Sequence, residues 1–225
     1  MTQIRQKILD FDVRPAIGGQ DYLVAISNRE AVEWLDLWPD WQVPAIIIYG
    51  STGCGKSHLA NLFSLKCGAS IIKPSLIEDI GISKILEESN FCVLDDTEFG
   101  FNEEDLLHLF NALVSSGGHM LMTAKIPPGQ WGLTLKDLES RLKAIPTIKI
   151  GLPDDGLLEA VFAKHFSDRQ LLVSAEIISY LIPRIERSLS MVQKVVEKID
   201  KLSLSSGRKV TLPLVREVLS SNFDK

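Results

Sequence analysis

Over its first two thirds the chain alternates short apolar runs with amphipathic stretches, and after that the short runs disappear. Ala45-Ile46-Ile47-Ile48-Tyr49, Ala69-Ser70-Ile71-Ile72, Phe91-Cys92-Val93-Leu94, Met120-Leu121-Met122-Thr123 and Thr147-Ile148-Lys149-Ile150 are the short runs. Apolar runs of this length predict buried strands. Between them the apolar spacing turns helical. It does so at residues 58–63, at Leu76, Ile77, Ile80, Ile85 and Leu86, and at Leu106, Leu107, Leu109, Phe110, Leu113 and Val114 before Gly117-Gly118. Alternation of this kind predicts a parallel sheet covered by helices on both faces, with ligands at the carboxyl ends of the strands.

From Asp154 onward, after Gly151-Leu152-Pro153, only helical periodicity remains. Helices are predicted near 157–166, 175–182 and 214–219, and another is marked by Leu189, Val192, Val196, Ile199 and Leu202. The pattern divides the chain into a tail at residues 1–20, an α/β domain at 21–152 and a small helical domain at 153–225.

The first chemistry lies between the first strand and its helix. Gly50-Ser51-Thr52-Gly53-Cys54-Gly55-Lys56-Ser57 fits G-x-x-x-x-G-K-[ST], the phosphate-cradling loop of nucleoside-triphosphate-binding proteins. Its glycines allow a tight turn that brings backbone N–H groups up to the phosphates. Lys56 is placed to neutralise the outer phosphates, and Ser57 to coordinate Mg2+ from the helix N-terminus. Asp95 and Asp96 follow the apolar strand 91–94. A carboxylate there can hold a magnesium-bound water, and its neighbour can orient or activate an attacking water. Thr97 and Glu98 extend this polar turn without an assigned role. Thr123, at the end of the 120–122 run, can touch a terminal phosphate or the lytic water, or simply cap the strand.

Composition narrows the setting. With 225 residues, 45% hydrophobic and 24% charged, the chain is an ordinary soluble protein by composition. A net charge of −5 weighs against a large nucleic-acid-binding surface. Three cysteines, Cys54, Cys67 and Cys92, show no metal-ligand spacing and predict a reducing compartment. Arg5 and Lys7 have no apolar run behind them, so no signal peptide is expected. No stretch approaches the ~20 apolar residues of a membrane span. The expectation is therefore a cytoplasmic protein with no membrane partner. His58, His108, His119 and His165 are scattered and suggest no metal site. Trp34, Trp38 and Trp41 are read as core.

Residues 53–60 (Gly-Cys-Gly-Lys-Ser-His-Leu-Ala), Asp95-Asp96 and Ser140-Arg141-Leu142 together resemble the AAA+ ATPases of the DnaA branch. The resemblance runs from about Asp21 to Leu219. It implies five parallel strands sandwiched by helices, followed by a small all-helical lid domain, and ATP or ADP with Mg2+ as ligands. His58 belongs to the Lys-[Ser/Thr]-His-Leu sequence of that branch. Tyr22, Val24 and Asn28, with Leu23 and Ala31, look like the segment that wraps the adenine. Trp38-Pro39-Asp40-Trp41, and the tail from Ile185-Glu186-Arg187-Ser188 to Val210-Thr211-Leu212-Pro213, look more like Hda and its alpha-proteobacterial form HdaA, the short DnaA homologues.

That resemblance implies a regulator that docks on the DNA polymerase III sliding clamp and makes ATP-bound DnaA hydrolyse its nucleotide. Arg141 matches the arginine that reaches into a neighbouring subunit's site, where it acts in trans. Gln6, Leu9 and Phe11 fit the spacing of a clamp-binding peptide. DnaA carries a basic helix-turn-helix domain after its lid, and this chain ends at the lid, so direct sequence-specific DNA binding is not expected. Two positions depart from the branch. The lid arginine that contacts phosphates falls near Ser190, with Arg187 the nearest basic residue. Lys125 stands where DnaA shows an acid. Both departures imply weak intrinsic ATPase activity. Two other readings stay open. One is a helicase-loader or transposition-helper ATPase acting on nucleic acid. The other is an interaction module whose nucleotide is structural. Monomer and homo-oligomer are likewise left as alternatives.

Overall fold

The computed structural model describes residues 12–14, 22–98 and 100–220. They fall into two compact units. One holds Ile26–Gly151, and the other holds Leu23–Ala25 and the described part of Leu152–Lys225. Asp12–Arg14 (β1) and Tyr22–Val24 (β2) pair as a two-stranded sheet.

The first unit follows the predicted alternation. After Arg29–Asp36 (α1) come Ala45–Tyr49 (β3), Lys56–Cys67 (α2), Ile71–Ile72 (β4), Ile77–Ile80 (α3) and Ile82–Glu88 (α4). Phe91–Leu94 (β5), Glu103–Ser115 (α5), His119–Ala124 (β6), Lys136–Ala144 (α6) and Thr147–Lys149 (β7) complete it. The five strands lie in the order β4-β5-β6-β3-β7, and every pairing is parallel. The central strands are apolar throughout because both faces are covered. Ala45, Ile47, Cys92, Leu94, Met120 and Met122 pack on one face with Leu106, Leu109 and Leu113 of α5. Alternation sends Ile46, Ile48 and Val93 to the other face. Of the three tryptophans read as core, Trp41 is buried, whereas Trp34 and Trp38 are only half-buried. Trp41 stacks on Phe63 of α2, ring centroids 5.5 Å apart, and meets Phe91 edge-on.

Among the described residues, side-chain caps fix the starts of α5 and of two helices further on. Asn102 Oδ1 accepts from the N–H of Glu104 (2.8 Å) and of Asp105 (3.4 Å), ahead of an acidic first turn that suits the helix dipole. Asp154 caps Asp155–Asp168 (α7), accepting from Leu157 N at 2.7 Å. Ser188 caps Leu189–Ser206 (α9), accepting from Met191 N at 3.1 Å.

In the second unit α7, Ala175–Leu181 (α8), α9 and Leu212–Ser220 (α10) enclose their own core. Phe162, Phe166, Leu181, Val192, Val196, Ile199 and Val215 are its centre. The chain thus has the predicted fold: a five-stranded parallel sheet between helices, then an all-helical region.

Candidate functional site

The glycine-rich loop leaves β3 at the carboxyl end of the sheet, where parallel strands present ligand-binding loops. At Gly50 the backbone is pressed against the neighbouring strand end. A Cβ there would lie 2.5 Å from the Ile150 carbonyl oxygen, so only glycine fits. Gly55, the N-cap of α2, has φ 108°, a conformation open to glycine and strained for other residues. The turn between them delivers the first N–H groups of α2 to the mouth of the loop. Lys56 is buried at 5% exposure. Its ammonium donates to the carbonyls of Gly50 (2.7 Å) and Ser51 (3.0 Å). It also lies 3.9 Å from Cys54 Sγ. Burial pushes the Cys54 thiol up, against the pull of Lys56, so Cys54 is a neutral spacer in the loop wall.

Sheet register builds the second half. β5 and β6 pair Leu94 with Met122, which sets Asp95 beside Thr123 one step further on. The Thr123 hydroxyl, fully buried, donates to Asp95 Oδ1. The Ser57 hydroxyl donates to the same oxygen at 3.2 Å. One carboxylate oxygen thus gathers the first turn of α2 and the ends of two strands. Ser57 and Asp95 form the oxygen-donor pair that a hard divalent cation takes, so the residues present fit Mg2+.

Asp96 is exposed and left-handed, with φ 60°, and its N–H donates to Thr123 Oγ1 at 3.1 Å. Thr97 and Glu98, given no role from sequence, prove to be buried and structural. Thr97 N donates to the Thr123 carbonyl at 2.8 Å, and its hydroxyl donates to the Leu94 carbonyl at 3.3 Å. Glu98 accepts from Lys125 N at 3.1 Å through Oε2. Its Oε1 lies 3.2 Å from Lys125 Nζ, an ion pair rather than an aligned hydrogen bond. No local signal marks this pair in the sequence, because its members are brought together only by the pairing of β5 with β6.

The remaining candidates are dispersed. His58 is exposed on the first turn of α2. Val24 and Asn28 are buried, and Asn28 stands before α1, its carbonyl accepting from Val32 N at 3.1 Å. Arg141, on α6, is 39% exposed, and its Nε lies 3.2 Å from Asp137 one turn earlier. Arg187 is bound to Asp155 at the start of α7 and donates to the Pro153 carbonyl at 3.4 Å, while Ser190 is exposed beside the α9 cap. Gln6, Leu9 and Phe11 lie outside the described residues, as does the side chain of Tyr22.

Residues 155–219 match the model of the Hda lid domain. The chain is 24% identical over 197 residues to the chromosomal replication initiator protein DnaA of Buchnera aphidicola, covering 78% of this chain and 45% of that protein. It superposes on domain III of the Thermotoga maritima replication initiation protein DnaA with a TM-score of 0.78 at 17% identity, covering 91% of this chain and 95% of that one. The helical region is thus similar to the Hda lid domain, and the chain has the fold of DnaA domain III. It is also 28% identical over 193 residues to an uncharacterized protein of Haemophilus influenzae, covering 80% of this chain and 84% of the relative. DnaA of Aquifex aeolicus, solved with AMPPCP bound, shares the fold with a TM-score of 0.65 at 22% identity, over 83% of this chain and 65% of that one. Among the described residues no helix is long and apolar enough to cross a membrane.

Proposed function

We propose that this Hda-like protein is a cytoplasmic regulator of replication initiation that binds adenine nucleotide, docks on the sliding clamp and promotes hydrolysis of DnaA-bound ATP. The observation that carries the nucleotide half is the convergence of Ser57 and Thr123 on Asp95 beside the 50–57 loop. Phosphates would take the loop N–H groups and Lys56, while Ser57 and Asp95 would hold Mg2+. The metal, when bound, supplies charge neutralisation on the phosphate oxygens. Asp96, on the same turn, is the group that would orient water, and Thr123 keeps Asp95 and the Asp96 backbone in register.

Stimulation of DnaA is assigned to Arg141. An arginine donated in trans to a transferring phosphoryl group accelerates it by about 10³–10⁵. In the single chain its guanidinium rests on Asp137, an exposed intrahelical pair of small energy, so leaving it for a partner's phosphate costs little. Clamp docking is assigned to Gln6, Leu9 and Phe11, whose spacing fits a clamp-binding peptide.

The test uses DNA-loaded clamp and ATP-bound DnaA, with ADP formation followed over time. The full chain should accelerate ADP formation, Arg141→Ala should remove the acceleration with nucleotide and clamp binding retained, and Gln6→Ala should weaken clamp binding. Full stimulation by Arg141→Ala would refute the assignment in trans.

A further inference from the structure

Arg141 rides on α6, a helix with few anchors. Only Leu138 and Leu142 of its nine residues are buried, and its N-cap, Leu135, offers no side-chain bond. What fixes the start of α6 comes from another helix. Glu103, the first residue of α5, turns its carboxylate to the segment that enters α6. Its Oε2 accepts from Leu135 N at 2.6 Å, and Thr134 N lies 3.0 Å from both carboxylate oxygens. The Thr134 hydroxyl donates to Oε1 at 3.2 Å. The Leu135 carbonyl then accepts from Glu139 N at 3.0 Å, which opens the helix. Hydrogen bonds to an ionised carboxylate are stronger than neutral ones, and an anion at this end suits the α6 dipole. The Glu103 end is itself held. Asn102 caps α5, and Leu106 and Leu109 are fully buried in the same core as Leu138 and Leu142.

We propose that Glu103 is a positioning residue for Arg141, pinning residues 134 and 135 so that α6 presents the guanidinium in one direction to a partner's phosphates. This rests on the reading of Arg141 as an arginine donated in trans. Two buried leucines one turn apart hold α6 along a line and leave it free to tilt about that line. The carboxylate at its start is the third point of attachment, and it stops the tilt. It also holds the turn that carries Asp137, on which Arg141 rests. Aim matters because a displacement of about 1 Å at a reacting centre can cost about a hundredfold in rate. Glu103 therefore bears on how fast the partner's nucleotide is lost, separately from how tightly the partner or the chain's own nucleotide is bound.

The test follows ADP formation from ATP-bound DnaA on DNA-loaded clamp while the full chain is titrated in, so that the maximum rate and the half-maximal concentration are read separately. Glu103→Ala is expected to lower the maximum by about tenfold or more, with the half-maximal concentration and the chain's own ATP affinity by calorimetry each within about twofold. Glu103→Gln, which keeps one acceptor oxygen, should fall between the parent and Glu103→Ala. A merely structural Glu103 would lower ATP affinity and the maximum together. That result, or a parent-like maximum in Glu103→Ala, overturns the proposal. If Glu103→Ala does not fold, Glu103→Gln decides, and a parent-like maximum again overturns it. Arg141→Ala keeps the two ideas apart. Lost acceleration in Arg141→Ala beside a parent-like Glu103→Ala overturns this proposal alone. Full acceleration by Arg141→Ala overturns the assignment in trans and this proposal with it, as does a parent chain that gives no acceleration.

Discussion

At the carboxyl end of the sheet, buried polar groups are satisfied across strands, whereas among the described residues of Leu152–Lys225 the only one is a helix cap. Of the buried polar and charged residues described, Asn28, Lys56, Thr97, Glu98 and Thr123 lie in the α/β unit, and Ser188 alone lies in the helical one. Buried polar atoms cost free energy unless every partner is present. The α/β unit accepts that cost where its ligand chemistry lies, and the helical unit avoids it and is held by apolar packing. Changes in the first should thus register mainly in ligand handling, and changes in the second mainly in stability.

The strongest way to break this contrast is in the helical core. Phe162 is fully buried and stacked on Phe166 at 6.0 Å between centroids. Phe162→Ala is expected to cost about 3–5 kcal/mol, read as a lower urea midpoint. A loss below about 1 kcal/mol would mean that the helical core is loosely packed. Lys56→Ala probes the other side. It removes a charged donor from two loop carbonyls and from the proposed phosphates, with an expected loss of about ten- to a hundredfold in ATP affinity by calorimetry. If melting temperature fell sharply while affinity held, Lys56 would be a structural residue and the contrast would fail at its centre. Gly50→Ala sharpens it further. The Ile150 carbonyl that the new Cβ would strike belongs to the backbone and cannot swing aside, so about 1–3 kcal/mol of stability should be lost together with nucleotide affinity.

The two regions were also legible in different ways. The helical unit was read from periodicity alone, because apolar residues three and four apart are what its core consists of. Predicted helices at 157–166 and 175–182 became Asp155–Asp168 and Ala175–Leu181. In the α/β unit, the loop and Asp95-Asp96 were legible because their chemistry is contiguous. α6 left no periodic trace, since only Leu138 and Leu142 of its nine residues are buried. The stripe over 76–86 was interrupted by Gly81, whose φ of 83° separates α3 from α4. The strand expected at 69–72 shortened to Ile71–Ile72, because Ala69 N is taken by the Ser64 carbonyl at 3.2 Å at the end of α2. The Asp95–Thr123 and Glu98–Lys125 contacts were illegible for a single reason. Strand register creates them, and a sequence carries no mark of which strand pairs with which.

Acid should separate the two units by the pH at which each begins to weaken. In the helical unit, burial first, and then the nearby charge of Arg169, lowers the pKa of His165 from its ordinary 6.5. The folded state therefore takes up less proton than the unfolded one, and stability is lost as pH falls through and below 6.5. In the α/β unit the relevant group is Glu103, which accepts from Thr134 N at 3.0 Å and Leu135 N at 2.6 Å ahead of α6. Those bonds lower its pKa from 4.5, so its contribution is intact above 4.5 and fades only below that value. Melting temperature followed from pH 8 to 4 should thus fall first near pH 6.5, and His165→Gln should flatten that first fall while leaving the later one. The effect is the smallest of the four because His165 is only half-buried. A first fall that persists in His165→Gln would assign the acid-sensitive step to another group and remove this distinction between the units.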